Sequence, residues 1–260
     1  MKSAGLIVAA NWKMHKSPQE GYQFARRLKT RARELPGVRL LLFPPATSLW
    51  YVHEGLKESA IELGGQHMHP AHEGAFTGEI SAGMMVACGC RWVLIGHSER
   101  RHLYHESDAD VEAKIPAALA AGLKVMLCVG ERLEQREDGR TEAVLRQQLE
   151  AGLASLNTLP GDSLVIAYEP VWAIGTGVVA HPEQVAAAHG HIRAVLGTIS
   201  AAQSIEKVAI LYGGSVNSSN AAELIRTPGV DGFLVGGASL DIDEYCKIAQ
   251  ISLLKAEANS

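Results

Sequence analysis

Aromatic side chains make up only 5% of this 260-residue chain. That scarcity speaks against a β-sandwich core, while 26 glycines and abundant small aliphatic residues suit parallel strands joined by tight turns. Cysteine is sparse too. Cys88, Cys90, Cys128 and Cys246 form no framework spacing, which excludes a disulfide-stapled secreted fold and fits a reducing cytoplasm. Cys128 lies in an apolar run that should bury it. No apolar run is long enough to cross a bilayer. The first, Leu6 to Ala10, is shorter than the core of a secretion signal and stops at Asn11-Trp12-Lys13. Charge of one sign is never gathered into a block: 24 Lys and Arg are interspersed with 28 Asp and Glu for a net charge of −4. Nucleic acid and anionic membranes therefore find no electrostatic footprint, and a small-molecule partner is expected. No Pro-, Gly- or Ser-rich stretch marks a domain boundary, so residues 1–260 read as one domain.

Eight short apolar runs are present: Leu6 to Ala10, Leu40 to Phe43, Ile61 to Leu63, Trp92 to Ile95, Val125 to Val129, Leu164 to Tyr168, Val208 to Tyr212 and Phe233 to Val235. Between them stand helical periods such as Phe24, Leu28, Ala32 and Leu35, or Leu145, Leu149 and Leu153, or Val185, Ala188, Ile192, Val195 and Ile199. Ser17-Pro18, Ser107-Asp108 and His181-Pro182 stand where helix starts are expected. Eight βα units in about 250 residues suit an α/β fold closed into a single (β/α)8 barrel, because open doubly wound sheets more often stop at five or six strands.

In such a barrel the reactive groups follow the strand ends. The first run is followed by Asn11, Trp12 and Lys13; the fourth by Gly96, His97, Ser98 and Glu99; the sixth by Glu169 and the stretch from Pro170 to Gly177. The seventh and eighth end in Gly213-Gly214-Ser215 and Gly236-Gly237-Ala238-Ser239. Glycine pairs there expose main-chain N–H groups to a phosphate dianion, although either pair alone could simply make a turn. One cation, one imidazole and one carboxylate, with no second cluster of metal-ligand spacing, suit proton transfer next to a carbonyl: the carboxylate takes a proton from carbon while the other two steady the developing oxyanion. Each alone has an ordinary alternative, a solvated lysine, a buried histidine or a surface acid. Pro170, Val171, Trp172, Ala173, Ile174, Gly175 and Thr176 are too apolar for an idle loop and read as a lid that would exclude water. Trp172 could equally pack under a helix.

The blocks Ala10-Asn11-Trp12-Lys13-Met14, Ile95 to Arg101, Tyr168 to Gly177, Tyr212 to Val216 and Val235 to Ser239 together resemble the triosephosphate isomerase family, in order, from about residue 6 to the final helix. The resemblance implies interconversion of dihydroxyacetone phosphate and glyceraldehyde 3-phosphate without metal or cofactor. It implies Glu169 as base, His97 as a neutral electrophile, Lys13 as electrostatic partner and Asn11 as a substrate contact. The pairing of a glutamate base with a neutral histidine is a documented property of that family. Gly175, Ser215, Gly236 and Gly237 would hold phosphate through main-chain N–H groups, with Ser98 and Glu99 supporting His97 and Lys13. The stretch from Gly64 to Glu79 resembles the family's dimer loop, whose tip near Thr77 enters a second subunit, so a homodimer is implied. Three places depart from the family pattern: His67 stands where Asn is usual, Tyr104-His105 where Phe-Gly is common, and Val178-Val179-Ala180 where a Lys-Thr-Ala hinge is common.

Other readings fare worse. His67, His69 and His72 have no cysteine or carboxylate partners that would complete a zinc site. Gly175 to Ala180 formally fits a dinucleotide fingerprint but begins six residues past its strand. Gly96-His97-Ser98-Glu99-Arg100 is one glycine short of a nucleophile elbow. A different phosphate-binding barrel isomerase or epimerase has no reason to pair a strand-one lysine with Glu169-Pro170, and a non-catalytic barrel would normally have lost one of Lys13, His97 and Glu169.

Overall fold

The computed structural model describes residues 5–175, 179–199 and 205–255. Its strands are β1 (Leu6–Asn11), β2 (Val38–Phe43), β3 (Glu62–Gly65), β4 (Trp92–Ile95), β5 (Lys124–Val129), β6 (Leu164–Tyr168), β7 (Ala209–Tyr212) and β8 (Gly232–Val235). All pair in parallel and in sequence order, and β8 returns to β1 to close the barrel. Each apolar run named above overlaps one of these strands, with Ile61 and Val208 lying one residue before β3 and β7. The helices described are α1 (Pro18–Arg31), α2 (Leu49–Leu56), α3 (Ala82–Ala87), α4 (Ser98–Leu103), α5 (Asp108–Ala120), α6 (Leu133–Glu137), α7 (Thr141–Gly152), α8 (Pro182–Ile199), α9 (Ala221–Arg226) and α10 (Ile242–Ser252). No helix among the described residues is long and apolar enough to cross a membrane.

The helix starts follow from local chemistry. Ser17 and Ser107 each close a capping box, with Glu20 and Asp110 returning a bond to the cap amide, and α8 opens on Pro182. α1 buries Phe24 and Leu28, α7 buries Leu145 and Leu149, and α8 buries Val185, Ile192 and Val195.

Two apolar layers result. Ile7, Ala9, Leu41, Phe43, Trp92, Leu94, Met126, Cys128, Val165, Ala167, Ala209, Leu211 and Leu234 form the inner cluster. Their strand neighbours Val8, Ala10, Leu42, Val93, Leu127, Ile166, Ile210 and Val235 pack with the helices. This alternation is the two-residue period of a strand, and it positions the site. Continued toward the mouth, Ile7-Ala9 leads to Asn11, Val165-Ala167 to Glu169, Met126-Cys128 to Gly130, and Leu234 to Gly236.

Candidate active site

Glu169 follows β6 and is 2% exposed. Its own amide continues the ladder to Val129 O at 2.7 Å. A Cβ on Gly130 would collide with the Glu169 carbonyl, so β5 must end in glycine for the two strand ends to pass this closely. The carboxylate accepts from Ser98 N–H at 2.9 Å through Oε2, and Oε1 lies 3.1 Å from His97 Nε2. Burial alone would raise the Glu169 pKa, but the His97 ring, the Ser98 amide and the Lys13 ammonium outweigh it and hold the group below the usual carboxylate range.

His97 caps α4, and its Nδ1 accepts the Glu99 amide N–H at 3.2 Å. A helix-start amide at Nδ1 places the single proton of a neutral imidazole on Nε2, facing Glu169. Burial lowers the pKa of this ring, yet the adjoining Glu169 carboxylate, helped by Glu99, outweighs burial and the pKa is raised. Most of that upward pull belongs to the Glu169 contact. When the carboxylate turns away, burial and the Lys13 ammonium are left against Glu99 alone, and the neutral ring is favoured.

Lys13 reaches the same place from β1. Its backbone is left-handed, with φ of 52°, a conformation that costs a non-glycine residue roughly 1 kcal/mol. The Asn11 side chain accepts the Lys13 amide at 3.0 Å, and Gln66 Nε2 donates to Lys13 O and to Phe43 O, both at 2.8 Å. The ammonium pairs with Glu99 at 2.6 Å. β1 closes on β8, so Lys13 also lies beside the last glycine pair: a Cβ on Gly236 would stand 3.5 Å from Lys13 Cε.

Asn11, Lys13, His97, Glu169 and Gly236 are therefore brought to one mouth. Gly237 opens the short turn Gly237–Leu240, and Ser239 is turned inward to bond Gly236 O at 2.7 Å. Ser215 differs from expectation, because its N–H donates to Ala173 O at 3.0 Å and is committed to the lid. A phosphate would have to exchange for that carbonyl. The Ser98 amide serves Glu169, while Glu99 contacts both His97, through its amide, and Lys13, through its carboxylate. Of the lid, Pro170 to Gly175 are described, with Val171–Ala173 forming a single tight turn and Gly175 at φ of 69°. Thr176 lies outside the described residues, as do Gly177 and Val178.

Sequence reasoning missed Glu131, which is fully buried just past β5. Glu131 accepts from Tyr168 OH at 3.1 Å and Trp172 Nε1 at 2.9 Å and lies 3.3 Å from Arg136, whose guanidinium stacks on the Trp172 ring. Trp172 thus ties the lid to β5 instead of packing idly under a helix. The signal was available in Gly130-Glu131, which follows the fifth run as Gly96-His97 follows the fourth. Gln66 was equally visible after the third. Cys128 is buried as expected, but it also sits against Glu169, and burial first, then that charge, raises its thiol pKa well above the ordinary value.

The sequence model of the family described as triosephosphate isomerase matches residues 6–252 of the chain. This chain belongs to the triosephosphate isomerase family. It is similar to the triosephosphate isomerase of Nitratidesulfovibrio vulgaris, at 49% identity over 93% of this chain and 98% of that one. It is also similar to those of Symbiobacterium thermophilum, at 47% over 93% and 94%, and Rhodopirellula baltica, at 44% over 95% and 97%. Against this triosephosphate isomerase background the departures take physical form. His105 holds a left-handed φ of 56° where the family commonly has glycine. His67 lies 3.1 Å from Glu79 and 3.5 Å from Glu106. Although burial raises the Glu106 pKa, His67 and Lys114 draw it down to about 2. His69 instead accepts the Ala71 amide and stacks on Phe76, so the neighbouring imidazoles do separate work.

Proposed function

We propose that this triosephosphate isomerase interconverts dihydroxyacetone phosphate and D-glyceraldehyde 3-phosphate through an enediolate, with Glu169 as the base. The Glu169 carboxylate leaves Ser98 and His97 to take a proton from the carbon next to the carbonyl. His97 Nε2–H hydrogen-bonds the oxygens in turn, and the Lys13 ammonium steadies the negative charge that develops on them. Asn11 contributes to the substrate contact and holds Lys13 in its strained conformation. Gly175, Ser215, Gly236 and Gly237 hold the phosphate through main-chain N–H groups, and the lid from Pro170 to Thr176 closes to exclude water from the enediolate. Substrate and product are isomers, so proton transfer alone balances the reaction and the proposal contains no metal or cofactor.

The observation that carries this reading is the His97 ring itself, bonded at Nδ1 by a helix amide and aimed at Glu169 through Nε2. The test is isomerisation of glyceraldehyde 3-phosphate by EDTA-treated protein in a coupled dehydrogenase assay. Wild type should turn over rapidly, and Glu169→Gln should lose about a thousandfold in kcat. Equal rates would remove Glu169 from the role of base, and no turnover by folded wild type would overturn the assigned reaction.

Residues 1–260 act in this proposal as one catalytic domain, in the cytoplasm where glycolytic substrates are found, with neither nucleic acid nor membrane as partner. The chain pairs with a second copy through the loop carrying the exposed Thr77. Support for that comes from Met14, 92% exposed beside the catalytic lysine, and Phe76, 45% exposed at the loop tip. Sedimentation equilibrium at the mass of one chain would refute the dimer.

A further inference from the structure

We propose that Cys88 and Cys90 form a dithiol site that closes to an internal disulfide by exchange with small-molecule disulfides. The turn after α3 is built for proximity. Cys88 ends the helix, and Gly89, at φ of 81°, reverses the chain. The amides of Cys88 and Cys90 both donate to the same oxygen, Met85 O, each at 3.0 Å. Two residues fully extended span about 7 Å. A turn that gathers both amides onto one carbonyl shortens that span and brings the two Cα atoms into the window of roughly 4.4–6.8 Å that a disulfide bridges.

The two thiols are unequal in access. Cys88 is half-buried while Cys90 is buried, and burial, followed by the neighbouring Cys88, pushes the Cys90 thiol up to about 12. Cys88 is therefore the entry thiol. Gly89 has the His53 ring where a side chain would stand, and it forms part of the wall of a cavity of about 250 Å³ that also includes His53, Lys57, Ser59 and Arg91. The other two cysteines lack this arrangement: Cys128 is sealed inside the barrel and Cys246 is buried on α10.

The chemistry is an ordinary exchange. Cys88 gives up its proton and attacks one sulfur of the small disulfide, whose S–S bond breaks to release one small thiol. Cys90 then gives up its proton and attacks the Cys88 sulfur, displacing the second small thiol. Two protein thiols are oxidised and one small disulfide is reduced. The turn precedes β4, whereas His97 follows it, so the bridge forms at the end of the barrel opposite the candidate site.

The test is to incubate native protein with oxidised glutathione in mildly alkaline buffer, alkylate, and map the tryptic peptide 58–91. The expected peptide is unalkylated and two hydrogens lighter, two of the four thiols are lost, and turnover is unchanged. C88S should abolish the reaction, and C90S should stop at a glutathione adduct on Cys88. C90A should trap the same adduct, which guards against a folding defect peculiar to serine in the buried position. Full alkylation of both cysteines, closure only in denaturant, or equal thiol loss in C88S would overturn the proposal.

Discussion

Glu169 and Glu131 stand at the ends of adjacent strands, 2% and 0% exposed, and they are buried on different terms. Glu131 is surrounded by three side-chain donors, a phenol, an indole N–H and a guanidinium, with the Val171 amide bonded to its main-chain oxygen at 3.0 Å. Glu169 is held by an imidazole, one amide and the weak thiol donor of Cys128, and that imidazole faces the same mouth. A buried carboxylate costs several kcal/mol of lost hydration unless donors replace the water. A full set of donors makes Glu131 a fixture that ties down Trp172 in the segment proposed as the lid. Weaker donors, one of which also serves substrate in the proposed mechanism, are what would let Glu169 move there. Buried charge is therefore diagnostic of chemistry here only when the partners are themselves exchangeable.

Removing the fixture should have the largest effect. Glu131→Ala leaves a phenol, an indole and a guanidinium without their acceptor, and stability in urea should fall by about 4 kcal/mol. A loss below about 1 kcal/mol would show that Glu131 does not anchor the lid. A third buried group sharpens the contrast. His189 packs edge-on against Tyr168 at 5.8 Å, bonds Gly229 O at 2.9 Å, and is held by burial at a pKa of about 4, below its ordinary 6.5. The native ring stays neutral while the unfolded chain takes up a proton. Stability is thus complete above about pH 6.5 and is lost as pH falls toward 4, by about 3 kcal/mol in all. A pH series of urea midpoints should show a shallower acid limb for His189→Gln than for wild type, and identical limbs would sink the assignment. Shortening the mobile acid should show in rate more than in stability. Glu169→Asp withdraws the carboxylate by about 1 Å, which should lower kcat about a hundredfold, or roughly 2.7 kcal/mol, with KM little changed. Thermal stability close to wild type in the same variant would separate the two carboxylates, and an unaltered kcat would erase the distinction.

The barrel was legible because every strand except β3 carries an unbroken apolar run, and parallel strands covered on both faces require such runs. The same continuity made the runs nearly blind to direction, since Ile7 and Val8 look alike in sequence while one faces the barrel axis and the other the helices. Lys13, His97 and Glu169 could be picked out because they interrupt that pattern with charge or a ring. Glu131 and Gln66 interrupt it equally. They went unread because their importance lies in the partners they meet, Trp172 across the lid and the Lys13 and Phe43 carbonyls across β1 and β2.

Sequence by itself determined the number of strands, their parallel order, the helix starts at Ser17 and Ser107, and which residues arrive at the mouth, because these depend on period and on caps a few residues long. Tertiary structure alone decided which nitrogen of His97 faces Glu169, that Ser215 is tied to Ala173, and that one buried glutamate meets a phenol, an indole and a guanidinium while another meets His97 and the Ser98 amide. Those outcomes depend on hydrogen bonds between strand ends far apart in the chain, and such bonds exist only once the barrel has closed.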